Sequence, residues 1–130
     1  MTDFETRRLP VERDEVAPDG CDVRVLLGLR GRGLMGHYEL APGHISRAVT
    51  NQTIEEIWFF LSGSGEMWRK QGEREEIVVV EFGVCVTVPL GTHFQLRSFG
   101  PKPLTAMGIV MPCWPGAGEA IVVQGKWEPT

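Results

Sequence analysis

The sequence predicts an all-β protein that folds as a single domain. Short runs rich in Val, Ile and aromatic residues recur along its 130 residues, and such runs are typical of β-strands. Gly, Pro, Ser and Asn separate the runs at intervals of about ten residues, the spacing of a β-sandwich or barrel. No window of useful length shows helical periodicity without a Gly or Pro break. A chain of this length normally forms one domain and buries enough surface for a core without disulfides.

The first twenty residues are polar and contain Pro10, Pro18 and Gly20. We interpret residues 1–20 as an N-terminal arm with at most one short strand, followed by a β-domain over residues 21–130. Strands are predicted at residues 22–29, 33–40, 44–49, 55–61, 66–70, 75–82, 84–88, 93–98, 104–111 and 120–123. The turn sequence at 62–65, Ser-Gly-Ser-Gly, predicts a hairpin between the fourth and fifth of these strands.

Charge and composition exclude several partners. The chain has 13 Lys and Arg against 17 Asp and Glu, a net charge of −4, which disfavours nucleic acid and anionic membrane surfaces. It has no apolar run of about 18 residues and no apolar signal core near its start, so we expect a cytoplasmic protein. Cys21, Cys85 and Cys113 are odd in number and form no C-x-x-C pair, which agrees with a reducing compartment and disfavours a cysteine zinc site.

The stretch from Gly31 to Gly36 matches the pattern G-x-G-x-x-G of dinucleotide-binding proteins. That motif requires a helix immediately after it to receive the pyrophosphate. Pro42 follows within six residues, so no helix of useful length fits. We therefore interpret these glycines as features of a strand bend.

Two segments carry more information. In the first, Gly43 precedes Glu56, and six residues separate Glu56 from Gly63; in the second, Gly83 is followed after five residues by Pro89-Leu90-Gly91. Both spacings resemble the two motifs of the cupin superfamily. The resemblance implies a single cupin-type double-stranded β-helix (jelly-roll) barrel with a ligand cavity at its centre, and it also implies a homodimer.

The usual metal ligands of that superfamily, two His and a Glu from the first motif and a His from the second, are mostly replaced. Counted back from Glu56 with three intervening residues, the two histidine positions hold Thr50 and Gln52; with four, they hold Val49 and Asn51. The histidine position of the second motif holds Phe94. A lone carboxylate is a poor transition-metal site. We therefore expect no metal and no other cofactor.

His93 precedes Phe94 by one residue, and one residue of shift in a strand moves a side chain to the opposite face. We therefore expect Phe94, Leu96 and Ser98 to face the cavity, and His93, Gln95 and Arg97 to face away. A metal site rebuilt with His37, His44 or His93 is the remaining alternative.

Glu56 is the strongest candidate for a functional residue. With Trp58 and Phe60 on the same strand face, its carboxyl group would lie in an apolar cavity, where burial raises the pKa of a carboxyl group. Such a group can act as a general acid or base near neutral pH, and His37 would complete a proton-transfer pair. The rest of the predicted pocket for a small organic molecule comprises Thr50, Gln52, Trp58, Phe60 and Phe94.

These residues leave three functions open. The first is a metal-independent enzyme that moves a proton in an isomerisation, cyclisation or lyase step. The second is a non-catalytic protein that binds or senses a small ligand in the same cavity. The third is a metal-dependent cupin oxygenase or isomerase with relocated ligands. The residues favour the first function, a metal-independent enzyme.

Overall fold

The structure is a computed structural model that describes residues 2–130. Within this range the backbone forms eleven β-strands and one short 3-10 turn, Ala117–Glu119. The strands are β1 (Glu15–Val16), β2 (Asp22–Leu29), β3 (Gly33–Leu40), β4 (Ala48–Asn51), β5 (Glu55–Ser62), β6 (Ser64–Gln71), β7 (Arg74–Glu81), β8 (Cys85–Val88), β9 (His93–Ser98), β10 (Leu104–Met111) and β11 (Ala120–Val123). The prediction of an all-β chain is confirmed, and β2, β3, β9, β10 and β11 have the predicted bounds.

The strands form two antiparallel sheets. The six-stranded sheet has the order β1-β2-β3-β10-β5-β8, and the five-stranded sheet has the order β11-β4-β9-β6-β7. Consecutive strands repeatedly lie in different sheets, as they do in a jelly roll, in which the chain winds between two packed sheets. The predicted jelly-roll barrel is therefore confirmed.

Side-chain alternation explains why these segments form strands. On β5, Glu56, Trp58 and Phe60 are buried, whereas Glu55 and Ile57, which alternate with them, are exposed. On β10, every second residue from Leu104 is buried. One face of each sheet is therefore turned towards the other sheet, and each fully buried large apolar side chain contributes about 1.5–3 kcal/mol to folding.

The predicted hairpin at 62–65 is wrong, because β5 and β6 lie in different sheets. The chain turns a corner there instead of folding back, and the corner depends on two glycines. A Cβ on Gly63 would lie 2.2 Å from the carbonyl oxygen of Pro103, and one on Gly65 would lie 2.0 Å from that of Arg97. Strand β6 instead forms a hairpin with β7, in which Gln71 lies opposite Arg74.

The strand predicted at residues 44–49 is displaced towards the C-terminus and becomes β4. Residues 44–47 form one isolated bridge, from Ile45 to Arg97. The Ser46 hydroxyl accepts a hydrogen bond from the Leu96 N–H at 3.0 Å and so replaces part of a regular ladder.

Both chain ends are fastened to the barrel. The side-chain amide of Gln95, which is fully buried, donates to the carbonyls of Ser46 and Trp127 and accepts from the N–H groups of Lys126 and Trp127. Gln95 therefore points away from the cavity, as predicted, but is covered by the C-terminal segment. In the predicted arm, the Pro10 and Val11 carbonyls accept hydrogen bonds from Arg24, and Met1 lies outside the described residues. No helix within residues 2–130 is long and apolar enough to span a membrane.

Candidate ligand-binding site

A cavity of about 70 Å³ lies between the two sheets. Strands of both sheets contribute to its wall, and residues 15–19 and Trp114 complete it. The lining residues are Glu15, Ala17, Pro18, Asp19, Cys21, Val23, Val25, Leu34, Gly36, Tyr38, Val49, Asn51, Glu56, Trp58, Phe94, Val110, Trp114 and Ala120. Apolar side chains therefore dominate the wall, with a few polar groups among them, which is the usual composition of a small-molecule pocket.

Glu56 is the most heavily hydrogen-bonded polar side chain in this wall. It is only 6% exposed. Its Oε1 accepts hydrogen bonds from the Tyr38 hydroxyl at 2.8 Å and from the Trp58 indole N–H at 3.1 Å. Its Oε2 accepts one from the Asn51 side-chain amide at 3.0 Å. Three donors from three strands thus fix the orientation of one carboxyl group, and Oε2 keeps the greater capacity to accept a further proton donor.

Tyr38 reaches Glu56 because two glycines leave space for its ring. Gly36 and Gly108 lie opposite each other on β3 and β10. A Cβ on Gly108 would lie 2.5 Å from Cε2 of Tyr38, and one on Gly36 would lie 3.1 Å from Cε1. The ring therefore lies across both glycines, and Gly36 has a packing role that the G-x-G-x-x-G pattern did not reveal.

The environment raises the pKa of Glu56. Burial is the main cause, and the charge of Asp19 adds to it, whereas the hydrogen bonds from Tyr38, Trp58 and Asn51 act in the opposite direction. Burial and the charge of Glu56 hold the pKa of Tyr38 well above its usual range, so Tyr38 stays a neutral phenol. The site thus pairs a carboxyl group whose proton is held unusually tightly with a fixed hydroxyl donor.

Asp19 and Cys21 form a second polar part of the wall. Asp19 is 8% exposed, and its Oδ1 accepts a hydrogen bond from the Cys21 N–H at 2.9 Å. Burial raises the pKa of Asp19, and burial together with the charge of Asp19 raises that of the Cys21 thiol well above its usual value. Cys21 is therefore a protonated thiol, not an activated nucleophile.

Of the residues predicted for the site, Glu56, Trp58 and Phe94 line the cavity. Phe60 has the same orientation on β5, but it lies beyond Trp58 and lines a separate void of about 10 Å³. Leu96 and Ser98, which were predicted to face the cavity, are buried but do not line it, and Leu96 lines the smaller void instead.

The placement of Thr50 and Gln52 requires a correction. Val49 and Asn51 line the cavity instead, so the spacing with four residues before Glu56 is the one that the structure adopts. Thr50 therefore lies on the opposite face of β4. The side chain of Gln52 donates to the Gly118 carbonyl at 2.7 Å, which fixes it to the 3-10 turn.

His37 also lies away from the cavity, so the predicted pairing of His37 with Glu56 is not formed. It alternates on β3 with Gly36 and Tyr38, which line the wall, and is cross-strand partner to Arg24. Its Nδ1 is buried with no hydrogen-bond partner among residues 2–130. Burial, with a contribution from the charge of Arg24, lowers the pKa of His37.

Tyr38, Asn51, Asp19, Cys21 and Trp114 belong to the wall but were not predicted. Tyr38 could have been considered from the sequence, because it lies two residues after Gly36 in a predicted strand and residues two apart point to the same face. Asn51 occupies a histidine position of the first cupin motif when four residues separate it from Glu56, but the predicted pocket used the spacing with three. Asp19, Cys21 and Trp114 had no local signal, because they reach the cavity from segments far from Glu56 in sequence.

The donor set around Glu56 does not fit the metal that the cupin resemblance implies. Such a site needs several imidazole or carboxylate ligands, but the neighbours of Glu56 are a phenol, an indole and an amide whose hydrogens point at the carboxylate. Within residues 2–130, no three His, Cys, Asp or Glu side chains lie close enough together to hold a metal ion. We therefore assign no step to a metal.

Neither a protein-family model nor a curated protein matches the sequence. Solved structures do match. An uncharacterized conserved protein with a double-stranded beta-helix domain from Klebsiella pneumoniae has a TM-score of 0.68 at 18% identity, covering 93% of this chain and 100% of that one. The cupin domain of Cnp3 from Schizosaccharomyces pombe has a TM-score of 0.61 at 12% identity, covering 69% of this chain and 63% of that one.

The capsular polysaccharide assembling protein CapF from Staphylococcus aureus has a TM-score of 0.70 at 15% identity, over 92% of this chain. This chain spans only 35% of the length of CapF. At such low identities the likeness shows the fold alone. The two-sheet topology, the central cavity and these matches agree, and the chain is therefore a small protein with the cupin fold.

Proposed function

We propose that this protein binds a small organic molecule in the cavity between its sheets and moves a proton on it, without a metal, in an isomerisation, cyclisation or lyase step. One observation carries the proposal: the buried carboxyl group of Glu56 lies in the cavity wall, held by three side-chain donors. A general base must be fixed within hydrogen-bond reach of the proton that it removes. Glu56 is fixed in this way before any ligand arrives.

The chemistry follows from the contacts of the two carboxylate oxygens. Oε1 already accepts two hydrogen bonds, from Tyr38 and Trp58, so Oε2 is the oxygen that would accept a proton from the ligand. The donors on Oε1 hold the plane of the carboxyl group. The raised pKa of Glu56 lies closer to neutral pH than that of an ordinary glutamate. A carboxyl group with such a pKa can both remove a proton from a ligand and return it efficiently.

A non-catalytic binding function is the second candidate, and the same hydrogen bonds favour it. Three donors stabilise the carboxylate and thereby weaken its tendency to remove a proton from a ligand. In a binding protein, Glu56 would serve only to orient the ligand. The two candidates share the cavity and differ in whether a bond to hydrogen is broken.

The experiment that separates them is hydrogen exchange on a bound ligand. Small organic molecules are screened by thermal shift and NMR, and ligands that bind in the cavity are incubated with the protein in D₂O. We expect deuterium to enter one carbon position of a ligand, at a rate that EDTA does not change. Glu56→Gln should reduce that rate by a factor of about 10²–10⁴, the usual contribution of a general base.

Glu55→Gln is the matched control. Glu55 is adjacent in sequence but exposed, and its Oε2 accepts a hydrogen bond from the Leu90 N–H outside the cavity. This variant should exchange deuterium at the wild-type rate. Binding without exchange in the wild type would favour the binding protein, and exchange that persists in Glu56→Gln would remove Glu56 from the mechanism.

We also propose a homodimer. Strands β7 and β8 are the last strands of their sheets, and edge strands readily pair with another chain. Val79 on β7 is 56% exposed and Phe82 beyond it is 72% exposed. Light scattering at micromolar concentration should report a dimer, and Val79→Lys should shift the mass towards the monomer. A monomeric wild type would contradict this proposal.

A further inference from the structure

The charges of the cavity wall all have the same sign. Its ionisable side chains are Glu15, Asp19 and Glu56, together with the neutral Cys21 and Tyr38, and no Lys, Arg or His is among the lining residues found within residues 2–130. Arg47 acts on Asp19 from outside the wall: its side chain is exposed and donates to the Pro18 carbonyl. An anionic ligand would therefore meet repulsion and find no cationic partner in the cavity.

Two of these acids are more than nine-tenths buried, with Asp19 8% exposed and Glu56 6% exposed. Burial raises the pKa of both, and the charge of Asp19 raises that of Glu56 further. Buried carboxylates are normally paired with a cation. The wall supplies hydrogen-bond donors to these two groups but no positive charge.

Aromatic rings form much of the remaining wall. The ring centroids of Tyr38 and Trp58 are 4.8 Å apart, and those of Trp58 and Phe94 are 5.7 Å apart. Trp114 also lines the cavity. Clustered aromatic faces attract organic cations through their quadrupoles, and such cages recognise methylated ammonium groups.

We propose that the ligand of this cavity carries a small alkylammonium group, placed against Tyr38, Trp58, Phe94 and Trp114 and neutralised by the carboxylates of Asp19 and Glu56. The inference rests on the proposed function, because it names the ligand class for the same cavity. The aromatic walls favour an organic cation over an inorganic one, which needs oxygen ligands on all sides.

The test compares three molecules of nearly the same shape and different charge: choline, the neutral 3,3-dimethylbutan-1-ol and the anionic 3,3-dimethylbutanoate. Each is titrated at low salt into uniformly ¹⁵N-labelled protein, and the indole N–H signals are followed. The chain has four tryptophans. Trp58 and Trp114 line the cavity and report binding, whereas Trp68 and Trp127 lie elsewhere and serve as internal controls.

We expect choline to shift the Trp58 and Trp114 signals with an affinity about tenfold or more above that of the neutral alcohol. Asp19→Asn and Glu56→Gln should each weaken choline binding about fivefold or more, with little effect on the alcohol. Glu55→Gln should leave all three affinities unchanged. If Asp19→Asn fails to fold, the Glu56→Gln result decides.

The inference is overturned if the alcohol or the anion binds as well as choline, or if both carboxyl variants bind choline as tightly as the wild type does. It is also overturned if no probe moves the Trp58 signal. Tight binding of the neutral alcohol would refute the ammonium group and leave the small-molecule cavity of the proposed function intact. The proposed function fails separately, through the deuterium exchange experiment.

Discussion

Glu56 and Glu119 are two glutamates with nearly the same solvent exposure and opposite shifts of pKa. They are 6% and 5% exposed. Glu56 receives hydrogen bonds only from side chains, and burial raises its pKa. Glu119 receives them from the Thr53 N–H at 2.6 Å, from the Ile54 N–H at 3.3 Å and from the Thr53 hydroxyl. Burial raises the pKa of Glu119 too, but these hydrogen bonds outweigh it and lower the pKa overall.

The difference shows that low solvent exposure alone does not set the direction in which the pKa of a carboxyl group shifts. Glu119 connects the 3-10 turn to the backbone at residues 53–54, just before β5, and its partners are amides that have no other acceptor there. Its carboxylate is therefore a structural link between two segments. Glu56 has partners that a ligand could exchange or share, and it faces a cavity.

The largest effect is expected from removing the Glu119 carboxylate. Glu119→Ala would leave the Thr53 and Ile54 amides without their acceptor, and we expect it to lower the free energy of unfolding by about 2–4 kcal/mol. Urea denaturation measures this loss. Glu119→Gln keeps one acceptor oxygen and should lose less.

The Trp58 indole N–H signal, which reports on the cavity, is the control for this prediction. In both Glu119 variants the Trp58 indole signal should keep its wild-type position, because Glu119 does not line the cavity. A Glu119→Ala protein as stable as the wild type would show that the link carries little stability.

The contacts of Glu56 can be tested through Gly108. An added Cβ would collide with the Tyr38 ring at 2.5 Å, so Gly108→Ala should displace Tyr38 from Glu56 and cost about 1–3 kcal/mol through overpacking. Its effect should be largely absent in a Tyr38→Ala background, where the ring is missing, and a double-mutant cycle measures this coupling.

Gly118→Ala is the matched control for that change. A Cβ at Gly118 would meet no atom within 4 Å, so we expect a change of stability within about 0.5 kcal/mol. Equal losses for Gly108→Ala with and without the Tyr38 ring would contradict the role given to this glycine.

Most of the strands and the position of Glu56 could be predicted from the sequence because both depend on local spacing. Runs rich in Val, Ile and aromatic residues, separated by Gly, Pro, Ser and Asn, predicted the strands. The cupin-like spacing from Glu56 to Gly63, with Trp58 and Phe60 on the same strand face, predicted that the carboxyl group faces the cavity. Such patterns involve neighbours in sequence, and a period of two determines the face.

The partners of Glu56 could not be predicted in the same way. The choice between Thr50 with Gln52 and Val49 with Asn51 depended on one residue in the loop before β5, and that residue reverses every side chain of β4. Tyr38 meets Glu56 only because β10 lies between β3 and β5. Pairing of distant strands, and the approach of residues 15–21 to the cavity, are decided by the whole fold rather than by local sequence.

The smallest expected effect is the pH dependence of stability, to which the two glutamates should contribute with opposite signs. For Glu56 the folded-state pKa lies above the usual 4.5, so the folded state binds the proton more tightly than the unfolded state does. Its contribution to stability is fully present below the unfolded pKa and is lost as pH rises through the folded pKa. Relative to Glu56→Gln, the wild type should therefore lose stability as the pH rises from 4.5, the usual value, through the raised folded-state pKa of Glu56.

Glu119 should behave in the reverse sense, because its folded-state pKa lies below the usual 4.5. Its contribution is present above that value and is lost as pH falls through the folded pKa, so the wild type should lose stability relative to Glu119→Gln on acidification. Urea denaturation of the wild type, Glu56→Gln and Glu119→Gln across the pH range measures both differences, and titrations common to all three cancel.

Tyr38→Phe removes a hydrogen bond that lowers the pKa of Glu56, and should move the Glu56 transition to higher pH. If the stability difference between wild type and variant changed with pH in the same direction for Glu56→Gln and Glu119→Gln, the hydrogen-bond donors would not account for opposite pKa shifts at the two sites.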